Sequence, residues 1–181
     1  VGSEETGIAS WYGHPYHGRR AANGEVYDME KLTAAHRTLP FGTRLLVTNL
    51  SNGKRVEVRV NDRGPFAGGR ILDLSRAAAR QIELIGPGTA RVRIAVLGYG
   101  PAVGQAAYAV QVGAFRDRSK AQALSHQLSE RYAPVSVVLR EGDPVTYRVL
   151  VGNKVELDEA EALAATLRRM SPDAFVVRLD P

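Results

Sequence analysis

The sequence predicts two domains in tandem, an all-β small barrel followed by an α+β split βαβ module. Three observations carry this expectation. Short β-branched runs with Gly/Pro punctuation fill the first half. Strand and helix periodicities alternate regularly through the second. A stretch rich in glycine with one proline, Gly98–Gln105 (GYGPAVGQ), divides them. At 181 residues, with 44% hydrophobic and 24% charged side chains, the chain suits packed cores of this size.

In the first half, Arg44–Asn49 and Arg55–Val60 read as strands around the turn Leu50-Ser51-Asn52-Gly53-Lys54. Asn52-Gly53 predicts a hairpin because both residues tolerate positive φ. Val56, Val58 and Val60 alternate with Arg55, Glu57 and Arg59, giving one buried and one wet face. Arg91–Leu97 reads as a further strand, and Ser75–Ile82 as a helix with Ser75 as its N-cap.

In the second half, Tyr108–Val112 reads as a strand. Ser119–Tyr132 is a helix with Ala121, Leu124 and Leu128 on one face. Val135–Arg140 and Thr146–Val151 are strands, Leu157–Met170 a second helix and Phe175–Leu179 a closing strand. The order β-α-β-β-α-β is ferredoxin-like, with both helices on one sheet face and the other face open as a platform. The expected domains are 5–98 and 107–181, joined by a short linker at 99–106.

No apolar run approaches the roughly 18 residues that span a bilayer. Absence of cysteine excludes a disulfide framework, a thiolate nucleophile and a thiolate metal site. The chain starts at Val1 without methionine, which reads as a processed product lacking its targeting segment. Residues 1–100 carry 14 Lys/Arg against 9 Asp/Glu, and residues 101–181 carry 10 against 10. The basic first half suits a polyanionic partner, or solubility alone.

Three acids in the first half are candidates for chemistry. Glu25 lies in a turn-like ANGE, Asp62 directly follows the alternating strand, and Asp73 sits among apolar neighbours before the expected helix. Glycoside cleavage needs an acid that protonates the departing oxygen and a second group that stabilises positive charge on the sugar. Equally, Asp62 can cap a turn, and Asp73 can tie down the helix start or pair with Arg70. His14 and His17 form no metal motif, and no metal or cofactor is expected. His36 reads as a positioning group or a satisfied core histidine. Trp11 and Tyr12 offer rings for a sugar, or simply core.

Taken in order, Gly7–Gly18 (GIASWYGHPYHG), ANGE, LTAAHRTLPFGT, VTNLSNGK, VNDRGPF and GRILDLS resemble the RlpA family (rare lipoprotein A, septal-ring lytic transglycosylases) over residues 5–97. The second half resembles a SPOR domain through Val110–Phe115 and Tyr147–Gly152. The resemblance implies a six-stranded double-psi β-barrel and a module that binds peptidoglycan stripped of stem peptides. It implies an endolytic cut between N-acetylmuramic acid and N-acetylglucosamine that closes a 1,6-anhydro ring. It places essential acids at Glu25 and Asp62, with His36 nearby. Asp62 is the first choice as general acid/base and Asp73 its competitor, while Trp11, Tyr12 and Arg63 hold substrate. In the SPOR-like half Gln111, Phe115, Tyr147 and Arg148 are the candidate glycan contacts, although alternation puts Tyr147 and Arg148 on opposite faces.

The family further implies a monomer in the periplasm or cell envelope of a Gram-negative-type bacterium, enriched at the division septum. Membrane contact would come only through an upstream lipid anchor, as in an outer-membrane lipoprotein. Two other classes remain open. One is a wall-binding or wall-loosening protein that holds glycan without cutting it. The other, an RNA binder, fits poorly, because the second half has no net positive charge and no aromatic RNP1 string.

Overall fold

The computed structural model describes residues 2–101, 106–142 and 144–180. The chain divides into two compact units, residues 1–102 and 103–181. Of the expected linker at 99–106, residues 102–105 lie outside the described residues.

The first unit contains β1 (Glu4–Tyr12), β2 (Thr33–His36), β3 (Arg44–Asn49), β4 (Arg55–Asp62), β5 (Arg70–Ser75), α1 (Arg76–Gln81) and β6 (Thr89–Gly98). The six strands close in the order β1-β5-β2-β4-β3-β6, with β6 returning to β1. Two pairs are parallel, β1 with β5 and β2 with β4, and the rest are antiparallel. This is the double-psi barrel the sequence led us to expect. Its interior is filled by alternate residues, among them Leu45, Val47, Val56, Val58, Val60, Leu72, Leu74, Val92 and Ile94.

The β3–β4 hairpin forms by a different turn from the one expected. Only Gly53 is left-handed, at φ 73°, and Asn52 is not. Asn52 works through its side chain, whose Oδ1 accepts from Lys54 N–H while Nδ2 donates to the Ile82 carbonyl. Ser75 caps α1 as expected, accepting from Ala78 N–H at 3.3 Å.

One irregularity positions the site. Thr33 pairs with Arg59 and Ala34 with Val60, but Ala35 pairs with Asp62, so β4 carries an extra residue, Asn61, against β2. Such a bulge breaks strict alternation. Without it Asp62 would share the inward face of Val58 and Val60. With it Asp62 joins Ala35 outside, and Arg63 turns inward.

The second unit comprises β7 (Ala107–Phe115), α2 (Arg118–Ser129), β8 (Val135–Arg140), β9 (Thr146–Lys154), α3 (Leu157–Leu167) and β10 (Phe175–Leu179). The sheet order is β10-β7-β9-β8. Ala121 and Leu128 of α2 and Ala160, Ala164 and Leu167 of α3 share one core with Val110, Val149, Val151 and Val176, so both helices cover one face. Asp117 starts α2 by accepting from Ser119 N–H at 2.8 Å.

Leu45 is fully buried in the barrel core. Leu45→Ala should destabilise the first unit by about 2–5 kcal/mol. The single tryptophan, Trp11, lies in that unit, so its fluorescence during denaturant unfolding reads the loss there.

Candidate active site

The barrel's outer face carries two rows of cross-strand neighbours. In the first, Asp62 of β4, Ala35 of β2, Asp73 of β5 and Ser10 of β1 stand side by side. In the second, Arg59 pairs with Thr33 and Ser75 with Tyr12, and Thr33 N–H points to Ser75 Oγ at 3.5 Å. Asp62 and Asp73 thus flank Ala35, their Cα atoms about 10 Å apart at two strand spacings. Ala35 is the small floor between two carboxylates.

Each acid is held differently. Asp62 Oδ1 accepts from the N–H groups of Ala22 at 2.9 Å and Arg63 at 2.8 Å. Asp73 accepts from the Ser10 hydroxyl and lies 3.7 Å from Arg70 Nη1, which also donates to Ser10 Oγ at 2.6 Å. Pairing with Arg70 was one of the two structural roles open to Asp73 from sequence, and it is present together with a half-buried, outward placement. Tyr12 reaches between the acids. Its hydroxyl is buried without a hydrogen-bond partner of good geometry. Burial foremost, then the charge of Asp62, with Asp73 contributing, holds its pKa well above the phenol range, so it stays protonated.

The connection from β1 to β2 covers part of this face. Tyr27 stacks on Tyr12 with ring centroids 4.4 Å apart and donates to the Tyr12 carbonyl. Glu30 accepts from Arg76 at 2.8 Å and Arg80 at 2.5 Å, tying the connection to α1. Glu25 lies in this connection. Arg59 donates to both of its carboxylate oxygens at 2.9 Å, and Asn61 Nδ2 approaches at 3.3 Å. The Arg59 hydrogen bonds, aided by Asn61, bring Glu25 down to about 2. It is an anion at neutral pH and unsuited to be the proton donor.

Glu25 and Asp62 are held by one turn, since Glu25 contacts Asn61 while Asp62 takes the N–H of Ala22. Beside them a pocket of about 340 Å³ is lined by Glu25, Val26, Asp28, Lys31, Thr33, Arg59 and Asn61.

Several expected site residues are placed elsewhere. His36 pairs with Leu72 on the inward side of β2, opposite to Ala35, so it does not join the carboxylates. Its Nδ1 accepts from Thr38 and Leu39 N–H, which leaves the proton on Nε2, 3.4 Å from Glu5 Oε2. Arg63 is buried, donating to the carbonyls of His36 at 3.1 Å and Leu39 at 2.8 Å with its guanidinium 3.9 Å from the Phe41 ring centroid. It braces the barrel end. Trp11 is partly buried against the core, and one face of the Tyr12 ring is taken by Tyr27.

In the second unit, Phe115 and Tyr147 pair across strands and pack against the helix-side core. Alternation from Gln111 would place Phe115 on the far face, but β7 bulges between Gln111 and Gly113 and reverses it. Gln111 and Arg148 remain together on the face away from the helices, Arg148 Nη1 donating to Gln111 Oε1 at 3.4 Å. Burial, with Arg140 adding like charge, brings Arg148 down to about 10, so it stays a cation at neutral pH. Ser10, Tyr27, Arg59 and Asn61 were not among the site residues expected from the sequence. Each acquires its role from a strand pairing or loop contact that leaves no local signal.

Residues 4–94 match the family described as lytic transglycolase, and residues 104–178 match the SPOR domain. The chain is 41% identical to a Campylobacter jejuni protein named endolytic peptidoglycan transglycosylase RlpA, over 98% of this chain and 73% of that protein. Proteins of the same name from Vibrio cholerae and Helicobacter pylori are each 37% identical, over 98% and 88% of this chain. The chain spans 70% and 60% of their respective lengths.

The Glu25–Arg59 pair yields a test. The folded pKa of Glu25 lies below its unfolded value, so its contribution is present above about pH 4.5 and disappears as pH falls toward 2. Because the pair is partly exposed, Glu25→Gln should cost only about 0.5–1 kcal/mol at pH 7. Denaturant melts across pH should show variant and parent converging as pH drops through that window.

Proposed function

The chain belongs to the RlpA family of endolytic peptidoglycan transglycosylases, and on that premise we propose that its barrel cuts the bond between N-acetylmuramic acid and N-acetylglucosamine in strands free of stem peptides. The observation that supports this most directly is the row Asp62–Ala35–Asp73, two carboxylates across a floor with no bulky side chain. Glu25 is excluded as proton donor by its ion pair, and Asp73 is engaged by Ser10 and Arg70. Of the two acids in the row, Asp62 is assigned the proton transfers on the family resemblance, with Asp73 as its competitor.

In the proposed reaction the Asp62 carboxyl gives its proton to the glycosidic oxygen as the C1–O bond breaks. The glucosaminyl fragment leaves as an alcohol, and C1 of the muramoyl unit becomes oxocarbenium-like. Asp62, now a carboxylate, takes the proton of that sugar's C6 hydroxyl. The C6 oxygen bonds to C1, closing the anhydro ring and restoring protonated Asp62. No water is consumed. Asp73 stabilises the developing positive charge, Tyr12 holds a neutral hydroxyl beside both acids, and Glu25 fixes the turn that orients Asp62.

The barrel is assigned to residues 5–98 and the glycan-holding module to 107–181, where Gln111 and Arg148 are the contacts. Periplasmic location, septal enrichment, an upstream lipid anchor and a monomeric state belong to the same reading.

Incubation with peptide-free strands followed by mass spectrometry tests it. Anhydro-ended fragments are expected; reducing ends would indicate a hydrolase, and retention without fragments a binding protein. Asp62→Asn should slow cutting by at least about 100-fold with retention intact, and unchanged turnover would overturn the assignment. Arg148→Gln should weaken retention while short strands are still cut, read by co-sedimentation.

A further inference from the structure

We propose that the pocket beside Glu25 is the subsite for a muramoyl unit whose lactyl carboxylate is free, and that Lys31 is the specificity residue that reads this charge. The inference rests on the cutting reading above and adds the residue that selects the substrate.

The electrostatics of the pocket single out Lys31. Glu25 and Arg59 neutralise each other through two hydrogen bonds at 2.9 Å. Asp28 is turned toward its own loop, accepting from Glu30 N–H at 2.9 Å, with His17 Nδ1 at 4.0 Å. Lys31 lines the same pocket, is exposed, and has no carboxylate within 4.0 Å among the described residues. The cation is available to an incoming anion.

A second, independent feature marks the pocket as prepared for a polar ligand. Thr33 and Asn61 are 4% and 2% exposed, and Thr33 Oγ1 and Asn61 Oδ1 meet no hydrogen-bond partner. Buried polar atoms are rarely left unsatisfied. A hydroxyl and an amide oxygen in one wall suit the hydroxyl and acetamido groups of an amino sugar. Val26, 59% exposed, adds an apolar rim.

Position connects the pocket to the reaction. Asn61 lines it, and the next residue is Asp62. A sugar seated there lies beside the acid.

The polymer's chemistry then identifies the anion. Within the disaccharide repeat, the one carboxyl is that of the muramoyl lactyl ether. A stem peptide converts it to an amide, which removes the charge and adds bulk. The volume of about 340 Å³ is at the small end of ligand sites, suited to about one sugar unit. Lys31 thereby favours stripped strands by attracting the free carboxylate.

The test compares peptide-free strands with the same strands after their lactyl carboxyls are converted to primary amides, using the full chain. Soluble-strand affinity and kcat/KM are both measured for the parent, Lys31→Gln and Lys31→Arg. Conversion should cost the parent about five- to tenfold, mainly in KM, with a penalty that shrinks at high salt. Lys31→Gln should bind and cut both polymers at the lower level, and Lys31→Arg should restore discrimination. The second unit contributes equally to parent and variant, so their difference isolates Lys31. Equal handling of both polymers by the parent, or full discrimination by Lys31→Gln, would overturn the proposal. If no strand is cut at all, the cutting reading fails on its own, and the affinities still decide the role of Lys31.

Discussion

One extra residue in β4 sets the geometry on which the rest of the barrel's chemistry depends. A strand that alternated strictly from Val56 through Val60 would send Asp62 inward, among the core side chains. An ionised carboxylate there is prohibitively costly without a partner. The bulge at Asn61 lets two consecutive residues serve the outer face. Asn61 steadies Glu25, and Asp62 stands across Ala35 from Asp73. The same reversal turns Arg63 inward, where it satisfies two carbonyls at the barrel end. A packing irregularity thus separates the inward Arg63 from the outward Asp62 one residue away.

Around this geometry the charges divide the labour. Glu25 is committed to Arg59, and Asp73 to Ser10 and Arg70. The pairing with Arg59 keeps Glu25 an anion at neutral pH, a fixed feature of the local field. Tyr12, kept neutral by burial and by the adjacent acids, contributes a hydroxyl without adding charge. The loop that carries Tyr27 and Glu25 is itself pinned to α1 by Glu30. The site is therefore assembled before any sugar arrives, which is where electrostatic catalysis gains most.

Much of this architecture was legible in the sequence because it rests on local periodicity. The valine alternation in β4, the Ser75 cap and the β-α-β-β-α-β order depend on neighbours within a few residues. β1, β2 and β5 were not read as strands. Thr33–His36 is too short for a period, and Glu4–Tyr12 has only its last stretch buried. The acids were found by type and resemblance, but their faces were not. The resemblance offered His36 and Arg63 as site residues, and alternation sends both the other way.

The second unit repeats the lesson with another bulge. Gln111, Gly113 and Phe115 would share a face in a regular strand. The insertion at Val112 moves Phe115 to the helix side, where an aromatic ring belongs in the core, and leaves Gln111 with Arg148. In both units one inserted residue decides which polar groups reach the face away from the hydrophobic core, while the hydrophobic pattern that specifies the fold is undisturbed. A fold of this kind does not by itself decide what the chain does to a glycan; that depends on which side chains the local register of a few strand ends brings together.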